Sequence, residues 1–244
     1  MGERFEEALR YRAFLAAEGG HDEAAKRLLG HLERSRVRAL GHPGSTEYLC
    51  RKAERAWRKA DHPVQQIIEL RPERMGPTEL TAAVEEMARA GLFLGAKSVV
   101  PDNTARHYYF SGTEIGPHAF SNRWDLIQLE IMPRVTKICN YAFAACDGLR
   151  IVRLHHGITQ IDCNAFEDCW YLTRFDCPVG VTTIAAHAFR GCHDLIEASL
   201  HPGVAAIGQY AFADCCSMRA FVMPPQVAEL QQCAFQNCRS LVSI

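Results

Sequence analysis

The sequence predicts an α+β protein: an N-terminal helical region followed by a solenoid of 23-residue coils with a parallel β face. Three observations predict it. Residues 1–75 place apolar side chains at helical spacing, interrupted by Gly and Pro. From Thr113 onward the chain aligns with itself at a period of 23. Each copy of that period closes on a short alternating stretch and a Pro- or Gly-bearing turn. A fixed period of a few tens of residues marks an array whose units bury their apolar sides only against one another.

Phe5, Leu9, Ala13 and Ala16 form the first helical stripe, which Gly19 and Gly20 end. Asp22 is placed to cap a second helix carrying Ala25, Leu28, Leu29 and Leu32. After the breaker His42-Pro43-Gly44, Ser45 opens a third, with Leu49, Ala53 and Trp57 on one side. Pro63 suits the first position of a short helix running through Leu70. The short loops favour antiparallel neighbours.

Residues 76–112 read as a linker, a capping helix and a degenerate coil. Thr78 is placed to start a helix with Leu80, Val84 and Met87 on one face, stopped by Gly91. Leu92 and Ala96 stand one period before Ile115 and Ala119, although Lys97 replaces the aromatic expected next. An atypical unit here shields the first coil's core from water.

Residues 113–244 carry the array. Its phenylalanine column is Phe120, Phe143, Phe166, Phe189, Phe212 and Phe235, each preceded by alanine. Five residues earlier stands Ile115, Ile138, Ile161, Ile184, Ile207 or Leu230. Three residues after each Phe comes Cys146, Cys169, Cys192, Cys215 or Cys238, with Arg123 in the first copy. Leu126, Leu149, Leu172, Leu195, Met218 and Leu241 follow, then a stretch such as Ile151-Val152-Arg153-Leu154 that alternates as a strand does.

Written out, the unit is Ile-x3-Ala-Phe-x2-Cys-x2-Leu, and it resembles the BspA-type (treponemal class) leucine-rich repeat. That resemblance covers 113–244. It implies six stacked repeats in a curved solenoid, used as a protein-binding scaffold in bacterial and protist surface proteins and in intracellular protist proteins.

Composition narrows the function. Net charge is −1, so no global field draws the chain to nucleic acid or an anionic membrane. The basic helical positions Arg51, Lys52, Arg55, Arg58 and Lys59 read as a solvated face diluted by Glu54. The charged N-terminus lacks the apolar core of a secretory signal, and no apolar run is long enough to span a bilayer. The expectation is a cytoplasmic, intracellular protein.

Of eleven cysteines, five recur at the coil period, which reads as a ladder of buried thiols and not as a disulfide framework. No phosphate loop, metal cluster or oriented Cys/His pair emerges. Neither a catalytic residue nor a cofactor is therefore predicted, and the expectation is no enzyme.

Between the buried strand positions, two outward rows vary from copy to copy while the core columns hold. One runs Glu130, Arg153, Asp176, Ser199 and Val222; the other runs Gln128, Ile151, Arg174, Glu197 and Ala220. Candidate partner-binding residues are Gln128, Glu130, Arg153, Arg174, Asp176, Glu197 and Ser199. Structurally, alternating charges such as Glu130 with Arg153 and Arg153 with Asp176 also serve to keep a sheet soluble. The expected function is protein–protein recognition of an unidentified partner through the strand face. A cell-surface adhesin-like protein, or the recognition region of a longer enzyme, are the alternatives.

Overall fold

A computed structural model describes residues 67–228 and 230–243, which belong to one unit, Gln65–Ile244. The helices expected before residue 67, with their basic face, lie outside the described residues.

The first described element departs from expectation. Ile67–Leu70 forms a strand, β1, where the end of a helix from Pro63 was predicted. Its two β-branched isoleucines suit an extended backbone. A long-range partner is also at hand, because β1 pairs antiparallel with Phe110–His107. A short 3₁₀ turn, Pro72–Arg74, leads to helix α1, Pro77–Arg89. The helix is the one expected, but Gly76 occupies the cap position and Pro77 the first turn, so Thr78 lies inside. Gly91, with φ of +73°, ends it as predicted.

The chain then forms an antiparallel hairpin in place of the degenerate coil, β2 (Phe93–Val99) with β3 (Ala105–Phe110). The Leu92 and Ala96 spacing match is coincidental, since Ala96 pairs across strands with Tyr108 and Ile131. Asp102 fixes the hairpin turn: its carboxylate accepts the Thr104 backbone N–H at 3.0 Å and the Thr104 hydroxyl at 2.7 Å. Register shifts between Leu94 and Ala96. A Cβ on Gly95, between them, would stand 2.0 Å from the Phe110 ring, so only glycine fits under that aromatic.

From residue 113 onward the first four coils each contribute two short strands, and the last two continue them as one strand and isolated bridges. One set, β4 (Glu114–Ile115), β6 (Lys137–Ile138) and β8 (Gln160–Ile161), is parallel and in register. It continues in β10 (Thr183–Ile184) beside β12 (Ala206–Ile207) and the bridge from Ile207 to Leu230. The other set comprises β5 (Gln128–Ile131), β7 (Ile151–Arg153), β9 (Arg174–Asp176) and β11 (Glu197–Ser199). β5 pairs parallel with β7 and β9 with β11. The backbone bond from Thr173 N–H to the Arg150 carbonyl carries the ladder from β7 to β9, and that from Ile196 N–H to the Thr173 carbonyl extends the β9–β11 pair. At the head, antiparallel β2 lies against β5 and joins hairpin to array.

Phenylalanine fills the space between the two ladders. Successive rings from Phe120 to Phe235 are stacked, with centroids 5.1, 5.2, 5.5, 5.4 and 5.6 Å apart. Tyr108 of the hairpin closes the column edge-on against Phe120 at 4.9 Å. The turn carrying each Phe holds two left-handed residues four apart, such as Asn164 and Asp168, or His187 and Gly191. Those conformations aim the backbone at the next coil. The N–H groups of Phe120, Phe143, Phe166, Phe189 and Phe212 each donate to the next coil's alanine carbonyl at 2.8–2.9 Å. Buried backbone is thus satisfied between coils, as a dry interior requires.

Candidate interaction face

The residues facing outward from the second ladder come together as the period requires. Gln128 pairs with Ile151 and Glu130 with Arg153 in register; Arg174 pairs with Glu197 and Asp176 with Ser199. Between them Leu129, Phe175 and Ala198 point inward and are buried. The seven candidate residues therefore share one side of the sheet. Arg153, Arg174, Asp176 and Glu197 are exposed; Gln128, Glu130 and Ser199 are half-buried.

The charges do not pair as a simple ladder would have them. Arg174 Nε donates to Asp176 within its own strand at 3.0 Å, and its Nη1 lies 3.2 Å from Glu197 of the next coil. Ser199 donates its hydroxyl to Glu197 at 3.1 Å. Neither Glu130 with Arg153 nor Arg153 with Asp176 closes an ion pair among the described residues. The side chains of the Arg174 cluster are each more than half solvent-exposed, so their pairs add little to stability.

The cysteine column performs a task that its spacing alone does not reveal. The thiols of Cys146, Cys169, Cys192, Cys215 and Cys238 each donate to the Phe carbonyl of the preceding coil, at 3.0, 3.2, 3.3, 3.3 and 3.1 Å. Burial pushes the first four well above the ordinary thiol range and Cys238 up to about 11. They stay protonated, as a donor must, and a protonated buried thiol is a poor nucleophile or metal ligand.

Arg123 explains its own exception to the column. It faces the hairpin, where no earlier Phe carbonyl exists, and donates instead to the Tyr108 hydroxyl at 3.0 Å and to Asp125 at 2.7 Å. Arg106 reaches the same carboxylate at 2.8 Å, and Glu69 lies 3.5 Å from both arginines. Burial works against ionisation of Asp125, but the Arg123 hydrogen bond and the charges of Arg123 and Arg106 outweigh it. Its carboxyl is held below the usual carboxylate range. This polar lid over the aromatic column combines β1, β3 and the first coil, three segments whose pairing no local pattern discloses.

A second surface feature follows from the left-handed positions. His118 stacks on Tyr141 at 4.9 Å and His187 on Tyr210 at 5.1 Å, one coil apart in each case. Among the described residues, no group of three or more His, Cys, Asp or Glu is placed to hold a metal ion. No described helix is long and apolar enough to cross a membrane.

Comparison with known proteins agrees with this architecture. Among solved structures, the leucine rich repeat protein of T. pallidum shares 29% identity at a TM-score of 0.53, over 54% of this chain and 61% of that one. A leucine-rich repeat protein from Bacteroides ovatus gives 21% identity and a TM-score of 0.45, over 56% and 41%. A leucine rich cell surface protein from Faecalibacterium prausnitzii gives 26% and 0.44, over 56% and 44%. The chain thus spans less than two thirds of each of these proteins. No curated protein matches it significantly. The BspA type leucine rich repeat region matches residues 113–242 in six copies, which is over half of the chain. With its 23-residue coils, parallel ladders and stacked phenylalanines, this chain belongs to the BspA-type leucine-rich repeat family.

Proposed function

We propose that the chain is a non-enzymatic recognition scaffold that receives a protein partner on the outward side of the β5–β7–β9–β11 ladder. The repeat family, typical of protein-interaction and surface proteins, supports the general role. One observation carries the choice of face. Inward columns stay apolar from coil to coil, and the phenylalanine column from Phe120 to Phe235 is invariant, while the outward rows change charge, size and polarity at nearly every step. A sheet kept merely soluble would need no such variety. The paired strands also hold the backbone in place before binding, so that only side-chain freedom is lost.

A reducing, cytoplasmic setting fits the thiols. All ten described cysteines are free, and Cys163 is exposed, a combination suited to a compartment that keeps thiols reduced.

The test is affinity capture combined with amide exchange. The native chain is compared with a variant carrying Glu130→Lys, Arg153→Glu and Arg174→Glu. A protein captured by the native chain should be lost by the variant, and its binding should protect amides of β5, β7, β9 and β11. Retention by the variant, with protection mapped elsewhere, would remove the strand face from consideration.

A further inference from the structure

We propose that the part of this face formed by Arg150, Ile151 and Arg153, with Tyr171 beside it, docks an acidic peptide segment bearing an aliphatic side chain next to its carboxylates. The inference rests on the strand-face reading and narrows it to one end and one ligand chemistry. The two outward arginines differ in their state. Arg174 is already held by Asp176 and Glu197, so its charge is answered within the chain. Arg153 is exposed and makes no ion pair or hydrogen bond among the described residues. Glu130 stands opposite it in the ladder without engaging it, and Asp176 is turned to Arg174.

A guanidinium in that state keeps its planar fork for a carboxylate from outside, where bidentate pairing is geometrically favoured. Its neighbours supply the rest of a binding site. Ile151, two residues away on the same side, is 45% exposed and offers an aliphatic surface beside the guanidinium. The Arg150 guanidinium lies 5.8 Å from the Tyr171 ring centroid, which places a second cation at the surface over an aromatic. Arginine, an aromatic ring and an aliphatic side chain together make up the composition found at interface centres. Farther along, Glu197 adds a negative charge, and Ala220 and Val222 carry none. Glu130 flanks Arg153 in the ladder, but Arg153 is the outward arginine of these two rows that no carboxylate of the described residues engages, and attraction for an anionic segment centres there.

Fluorescence anisotropy on the full chain tests this with two labelled synthetic peptides, one alternating Glu and Leu, the other Lys and Leu. The Glu/Leu peptide should bind, and more weakly as salt rises. Its affinity should fall about tenfold in Arg153→Glu, as for reversal of an engaged charge. Val222→Glu, on the same row but three coils away, should leave it unchanged. Both substitutions are at exposed positions, and unaltered circular dichroism and melting would confirm intact folding.

Absence of Glu/Leu binding, equal binding of the Lys/Leu peptide, or an equal loss in Val222→Glu would overturn the acidic-segment proposal. Each of these leaves the strand face open to another partner, which the capture experiment addresses. Glu/Leu binding that neither substitution alters would overturn the proposal and count against the face as well.

Discussion

At the scale of single residues the molecule separates into side chains that hold the coils together and side chains that do not. Phe166, stacked on both sides and buried, belongs to the first kind; exposed Arg153 belongs to the second. Phe166→Ala should cost about 3–5 kcal/mol of unfolding free energy. Arg153→Ala should stay within about 0.5 kcal/mol. Urea titrations of the two variants measure the difference, and coincident midpoints would refute the stacked core.

The thiols predict a dependence on alkaline pH. Burial raises Cys139 and Cys238 to about 11 and Cys177 to about 12 in the folded state. Unfolded thiols ionise near about 8.5. Because the folded values are the higher, the unfolded chain loses its protons first as pH climbs. Stability from these groups is complete below the unfolded value and drains away toward the folded ones. Melting temperature should therefore be flat through neutrality and decline from about pH 9 upward. A variant with these three cysteines changed to alanine should show a shallower decline.

Phenylalanine and alanine columns were legible because burial admits few residue types there and the array repeats the constraint. The thiol-to-carbonyl bonds were not, since Cys looks the same in sequence whether it donates or only fills space.

Among elements, the hairpin carries the lesson. Its signals were present: Pro101, Asp102 and Asn103 are turn formers, and Tyr108-Tyr109-Phe110 favours strands. A chance match to the repeat period at Leu92 and Ala96 masked them. β1 is harder still, because four residues are too few for a pattern and its partner lies some 40 positions downstream. The second ladder's strands, by contrast, follow from alternation and the period alone.

The lid that β1, β3 and the first coil form together yields an acid-side prediction. Asp125 is held below the usual carboxylate range against the pull of burial. A lowered carboxylate stabilises the fold above its unfolded value and ceases to as pH falls through the folded one. Arg123→Met should lower the melting temperature at neutral pH, and the gap from the parent should shrink below about pH 4. A gap independent of pH would mean that Arg123 acts through packing and not through charge.

On the scale of the whole described unit, cohesion runs from neighbour to neighbour. Every inter-coil bond from a Phe N–H reaches the adjacent coil and no farther. Excising residues 162–184, one full period, should therefore leave a folded chain with cooperative unfolding and a lower melting temperature. Excising 162–183 shifts every later column by one position, sends inward side chains outward, and should abolish cooperative melting. Circular dichroism melts of the two deletions decide between them. The strand face belongs to this scale too: its rows were readable as rows, whereas which arginine is answered by a carboxylate depends on rotamers that the sequence does not encode.

The bond between the first coil's Arg123 and the hairpin's Tyr108 has a consequence for how such a molecule changes in length. A copy of a cysteine-bearing coil inserted ahead of β5 would stand beside the hairpin without Arg123, and so without the guanidinium that bonds Tyr108 and closes the column. Inserted after Ile131, the same copy meets its own kind on both sides. Ancestry should therefore be recorded unevenly: one invariant head, with gains and losses of repeat units confined to the segment behind it.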